Sequence, residues 1–144
     1  MHNNILVYDD FEIDFCFPPH HYSVAGTDND EFLNLFSYSP LKIAGDKELE
    51  LQSQHVVRPI HPIMVGSFQP QHAAFAWPTG VLHAKEKMTM TAPVYAGETL
   101  ESRICVKDKY LKNEKKFVVL EMQIKKLETN TMALTVERTL VWPK

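Results

Sequence analysis

The chain has 144 residues, 44% of them hydrophobic and 23% charged, with a formal net charge of −3. That length fits a single domain spanning 1–144 around one apolar core and is too short for two. The weak net charge offers no field to hold nucleic acid or an anionic membrane, so partners must be recognised by shape and local chemistry. Residues 5–17 mix apolar and acidic side chains and end at Pro18-Pro19, which stops any regular element and suggests an extended lead-in arm. Thr27 then precedes Asp28, Asp30 and Glu31, a hydroxyl cap with acids in the first turn, so a short helix is predicted from there. Phe32, Leu35 and Phe36 give that helix an apolar face, and Pro40 closes it. Residues 42–57 have weak periodicity and read as a surface excursion with at most a short helix around 47–52. From Ile63 through Val65, Phe68, Phe75 and Trp77 the pattern is that of an apolar helix buried on nearly all sides, kinked or interrupted at Pro70.

From Val81 the period changes from helix to strand. Leu82, Ala84, Glu86, Met88 and Met90 alternate with His83, Lys85, Lys87 and Thr89, and Pro93 ends the run. Further strands are predicted over 100–106, 117–124 and 132–142, with turns at Ala96-Gly97, Lys112-Asn113-Glu114 and Glu128-Thr129-Asn130. One apolar helix followed by an antiparallel meander is an α+β arrangement in which the sheet wraps the helix. Cys16 and Cys105 lack any C-x-x-C spacing and read as two reduced, partly buried thiols. No apolar run reaches the eighteen or so residues of a membrane span, roughly the thickness of the hydrocarbon core. The opening Met1-His2-Asn3-Asn4 has no signal-peptide character, so a cytoplasmic location is expected.

Several phrases in order resemble the MaoC-like hydratase/dehydratase family of the hotdog superfamily. They are Tyr8-Asp9-Asp10-Phe11-Glu12, then Arg58-Pro59-Ile60-His61-Pro62-Ile63-Met64-Val65, then Gly80-Val81-Leu82-His83-Ala84 and Pro93-Val94-Tyr95-Ala96-Gly97-Glu98-Thr99-Leu100. The resemblance implies a single hotdog domain, its antiparallel sheet wrapped around a central helix. It also implies edge-to-edge pairing, as a homodimer or with another hotdog subunit, and an acyl tunnel at the interface. The substrate class it implies is an acyl-CoA or acyl-carrier-protein thioester, with no cofactor and no metal.

Active members of that family carry a phrase close to D-x-N-P-x-H-x-D, whose carboxylate and imidazole serve the water oxygen and the α-carbon. Aligned on Pro40, this chain has Ser37 in place of the Asp and Lys42 in place of the His. A serine hydroxyl is too weak an acid or base to replace a carboxylate, and nothing in the sequence lowers the pKa of Lys42. The expectation is therefore a catalytically degenerate subunit that shapes the acyl pocket for an active partner. The alternatives are a stand-alone divergent dehydratase or thioesterase, and a non-enzymatic acyl-CoA sensor.

Candidates for a relocated site are Ser37, Lys42 and His61, with Asp46 as a weak replacement for the missing carboxylate; for a thioesterase, which usually needs an acid on or beside the central helix, Glu86 and Asp46 are weak substitutes. His61 also reads as a helix cap, the commoner role for a residue in that place. The resemblance gives substrate-binding roles to Phe36, Ile63, Met64 and Phe68, and to Trp77, Gly80 and His83, although the aromatic members read equally well as core. At the helix start Pro62 lacks an N–H, which leaves Ile63 and Met64 as possible donors to a thioester oxygen.

Overall fold

The structure, a computed structural model, describes residues 4–35, 59–66 and 75–144. Five antiparallel strands form its main sheet: β2 (His20–Tyr22), β4 (Leu82–Met90), β5 (Leu100–Lys112), β6 (Lys115–Lys126) and β7 (Thr131–Trp142), in the order β2-β5-β6-β7-β4. The long strands follow from the alternation in the sequence. On β5, Leu100, Ser102, Ile104 and Val106 are buried while Arg103 and Lys107 face water. β5 and β6 run past the predicted ends because Lys112 pairs with Lys115 across Asn113 and Glu114, both at positive φ, the two-residue turn that matches the twist of a hairpin. Asn130, also at positive φ, helps turn β6 into β7.

Among the described residues, two α-helices come between the arm and the long strands in chain order. α1 (Gly26–Leu35) begins one residue before the predicted Thr27 cap, because the Asn29 N–H already reaches the Ala25 carbonyl at 3.3 Å. Its face also differs from expectation: Leu35 is 80% exposed, and the buried member is Asn29, only 1% exposed. α2 (Pro62–Gly66) packs on the concave face of the sheet, and Val65 is fully buried there among Leu134, Val136 and other core residues. Gly66 permits that approach, since a Cβ there would stand 3.1 Å from Leu134 Cδ2 and from Met88 Cε.

The predicted helix does not extend to Trp77. Phe75–Ala76 is a short strand, β3, paired in parallel with β1 (Asn4–Ile5). Trp77 precedes Pro78, whose ring disfavours helical geometry at the residue before it, and the pairing with β1 satisfies the extended backbone. Pro40, Pro70 and the surface excursion of 42–57 lie outside the described residues. No helix among the described residues is long and apolar enough to cross a membrane.

The two cysteines are not free thiols. The arm continues the β2 edge along β5, with Phe17 N–H donating to Ile104 O and Val106 N–H donating to Phe15 O, both at 2.8 Å. These bonds flank Cys16 and Cys105 and set them directly opposite, and a disulfide joins them across a Cα–Cα distance of 4.0 Å. Spacing along the chain carries no trace of this, since the partners are 89 residues apart and meet only through the register of the arm.

Candidate functional site

The approach to α2 is built from backbone hydrogen bonds. Ile60 N–H donates to Val94 O at 2.6 Å, and Asn29 clamps the next residues from the other side. The Asn29 amide donates to Pro59 O at 3.3 Å and accepts from His61 N–H at 2.9 Å. A buried amide with both ends satisfied fixes a backbone path, which explains a polar residue on the inward face of α1. His61 is the cap of α2: its carbonyl accepts from Met64 N–H (2.9 Å) and Val65 N–H (3.1 Å), and its ring Nδ1 accepts from Ile63 N–H (3.2 Å). The ring also contacts Phe32, with centroids 5.1 Å apart. Pro62 has no N–H, so the first-turn amides of Ile63 and Met64, the expected oxyanion donors, are both engaged within the chain. His61 therefore works as a cap here.

The other end of α2 is also held. Tyr22 donates its hydroxyl to Val65 O at 2.7 Å, and burial pushes that phenol well above its ordinary pKa. Arg138 Nη2 donates to Gly66 O at 3.3 Å. Arg138 stands on the concave face of β7 in a row with Leu134, Val136, Leu140 and Trp142, and its side chain is only 16% exposed. A charge on an otherwise apolar face needs a partner, and Glu86 on β4 supplies it, with Arg138 Nε 2.7 Å from Glu86 Oε2. The same carboxylate oxygen lies 3.1 Å from His83 Nε2.

In a regular strand His83 and Glu86 would point to opposite faces, as their alternation in the sequence implies. A bulge changes this. His83 pairs with Leu140 and Lys85 with Thr139, so β4 advances two residues while β7 advances one, and Ala84 is the extra residue. His83 thereby joins Glu86, Met88 and Met90 on the concave side. Lys85 and Lys87, opposite Thr139 and Glu137, stay on the outer side. The result is a run of polar contacts from the α2 backbone through Arg138 and Glu86 to an imidazole that is 49% exposed.

The remaining predicted residues are dispersed. Trp77 packs against Trp142, with ring centroids 5.1 Å apart, as part of the core periphery. Met64 is partly buried against the core, and Ile63 is 47% exposed. Gly80 sits in the turn before β4 at φ 95°, near Pro143. Phe36, Ser37, Lys42, Asp46 and Phe68 lie outside the described residues. The sequence reading gave Arg138 no role; the signal available was a lone charge at a concave-face position of an apolar alternating strand.

No family model and no curated protein sequence matches the chain. Solved structures do. The unliganded R-hydratase PhaJ1 from Pseudomonas aeruginosa superposes with a TM-score of 0.67 at 19% identity, over 95% of this chain and 85% of that one. The HadBC (3R-hydroxyacyl-ACP dehydratase) complex from Mycobacterium tuberculosis gives 0.66 at 12% identity, over 90% and 96%. A MaoC-like dehydratase from Rhodospirillum rubrum gives 0.63 at 11% identity, over 96% and 98%. A single antiparallel sheet with a helix on its concave face, shared over nearly the whole length of these proteins, makes this chain a hotdog domain. The fold is the one seen in MaoC-like dehydratases and (R)-hydratases.

Proposed function

We propose that the chain binds an acyl thioester, on coenzyme A or a carrier protein, against its concave face and works as one half of a hydratase or dehydratase pair. It shapes the acyl pocket, while a second hotdog subunit supplies the principal acid and base. One observation carries the reading: aligned on Pro40, the sequence has Ser37 and Lys42 at the positions where D-x-N-P-x-H has a carboxylate and an imidazole. The engaged amides of Ile63 and Met64 agree with a loss of chemistry at the helix start. The outer edge of β4 favours a paired state, because among the described residues no strand covers it. HadBC, a neighbour in fold, is itself a complex.

The test has two parts. Crotonyl-CoA is expected to raise the melting temperature of the purified chain where free coenzyme A does not. Addition of a hotdog subunit with an intact D-x-N-P-x-H phrase, co-expressed with this chain, is expected to raise crotonyl-CoA hydration well above that of either protein alone. Equal shifts with coenzyme A and crotonyl-CoA would remove the acyl pocket from the proposal.

A further inference from the structure

We propose that His83 is a general base for water on the concave face of β4, held in place by Glu86 and Arg138. The inference rests on the thioester binding proposed above and goes beyond it by giving this chain a proton-transfer group of its own. Three observations carry it. First, the bulge at Ala84 is what brings His83 to the face that carries Glu86. An ion pair that served only to neutralise Arg138 would need Glu86 alone, which a regular strand would place equally well. Bulges of this kind interrupt the ladder and re-aim a side chain, and they collect at sheet edges and beside active sites.

Second, each polar contact orients the next. Gly66 O fixes one end of the Arg138 guanidinium, Arg138 Nε donates to Glu86 Oε2, and the same carboxylate oxygen stands 3.1 Å from His83 Nε2. With Nε2 beside the carboxylate, Nδ1 is the nitrogen left to take a proton from water, and among the described residues no hydrogen bond or ion pair engages it. A carboxylate that holds one ring nitrogen so that the other accepts a proton is the arrangement by which an imidazole acts as a base near neutral pH. Third, the imidazole is half exposed on the concave face, while Met88 and Met90 on the same face are partly buried against the core. The ring is open to water, and two partly buried methionines lie along the same strand.

The step balances in either of two directions. A water molecule gives a proton to Nδ1 as its oxygen bonds to an electrophilic carbon of the thioester. If that carbon is C3 of an enoyl group, the C2=C3 π pair moves to C2, which takes a proton back from the imidazolium, and a 3-hydroxyacyl thioester results. If it is the carbonyl carbon, the C–S bond breaks, the sulfur leaves with the bonding pair and takes the proton, and an acid and a thiol result. Both consume one water and return neutral imidazole.

Crotonyl-CoA tests both directions with the purified full chain. Loss of enoyl absorbance without free thiol reports hydration, and thiol release trapped by a chromogenic disulfide reports hydrolysis. Turnover by either route that falls roughly 10²- to 10⁴-fold in His83→Gln, with circular dichroism unchanged, is the expected result. Glu86 is a positioning residue. Glu86→Gln is expected to lower kcat with little change in KM, because the group that orients the imidazole is weakened while the acyl-binding face is untouched, and Glu86→Asp is expected to restore part of kcat. The charged groups around His83 on this face are Glu86 on β4 and Arg138 on β7, with Lys85 and Lys87 on the far side of the sheet. Two results would overturn the inference while leaving thioester binding intact: crotonyl-CoA raises the melting temperature without turnover, or His83→Gln turns over at the unaltered rate. Absence of any shift with crotonyl-CoA would overturn both proposals together.

Discussion

His83 Nε2 lies 3.1 Å from Glu86 Oε2 on the same concave face, although three residues along a regular strand would separate them by the thickness of the sheet. That contact exists only because β4 carries one residue more than β7 between their matched positions. It ties the ladder's one irregularity on β4 to the only charged pair on that face among the described residues joining β4 to β7.

Removal of Glu86 tests how much of the local stability this pair supplies. In Glu86→Ala the Arg138 guanidinium, mostly buried, keeps only Gly66 O as a described acceptor. The expected loss is about 1–3 kcal/mol, the usual cost of leaving a desolvated polar group short of a partner. Lys85→Ala, on the outer side of the same strand, should stay within about 0.5 kcal/mol. Urea denaturation of both variants measures the difference, and equal midpoints would mean that water replaces the Glu86 carboxylate at little cost.

Much of the sheet was legible because β5, β6 and β7 are long and largely alternate, and because Asn113-Glu114 and Asn130 sit where turns need positive φ. The bulge was not legible, since Ala84 is small enough to be tolerated on either face and leaves the alternation of the letters intact. The disulfide was invisible for another reason: it depends on the register between an arm with no periodicity and a strand in the middle of the chain. The expected helical run to Trp77 failed at its end because apolar content alone does not distinguish an apolar helix from a short apolar strand. Asn29 shows the same limit, as a buried polar residue on a helix gives no sign of which distant backbone it holds.

Tyr22 predicts an alkaline sensitivity. Burial raises its phenol above the ordinary value of 10.0, and its hydroxyl proton is committed to Val65 O. A group whose pKa is raised by folding contributes stability that is fully present below the unfolded value and lost as pH rises beyond it. The folded state should therefore weaken above pH 10 more steeply in the native chain than in Tyr22→Phe. Below pH 9 the variant should be less stable by about 1 kcal/mol, the net value of the lost hydrogen bond. Denaturation midpoints across that range should converge as pH rises, and parallel curves would contradict the assignment.

Gly66 sets the distance between α2 and the sheet. Alanine in a helix ordinarily gains about 0.5–1 kcal/mol over glycine. Here its methyl would press on Leu134 Cδ2, Met88 Cε and Val136 Cγ2 at 3.1 to 3.3 Å, and Leu134 and Val136 have no exposed surface into which to move. Overpacking of this kind costs roughly 1–3 kcal/mol, so a net loss is expected in Gly66→Ala. Shortening Met88 to Ala in the same chain removes one of the three crowded atoms and should return part of that loss. A double-mutant cycle on denaturation midpoints reads the coupling directly; strictly additive effects would place the crowding elsewhere.

The Cys16–Cys105 link predicts how the arm is held. It joins residues 89 apart and lies on the exposed side of the arm, where Cys16 faces solvent. Closing so long a loop restricts the unfolded chain, and a native disulfide of this kind contributes about 2–4 kcal/mol. The folded arm has other anchors: Trp142 Nε1 donates to Leu6 O at 3.1 Å, Phe11 meets Trp142 edge to face, and backbone bonds flank the two cysteines. Cys16→Ser with Cys105→Ser should therefore lower the global midpoint of chemical denaturation while leaving the arm docked, with its amides still protected from hydrogen exchange. Loss of protection confined to residues 14–17, with the global midpoint unchanged, would instead make the link a local clasp on the sheet edge and remove its effect on the unfolded state.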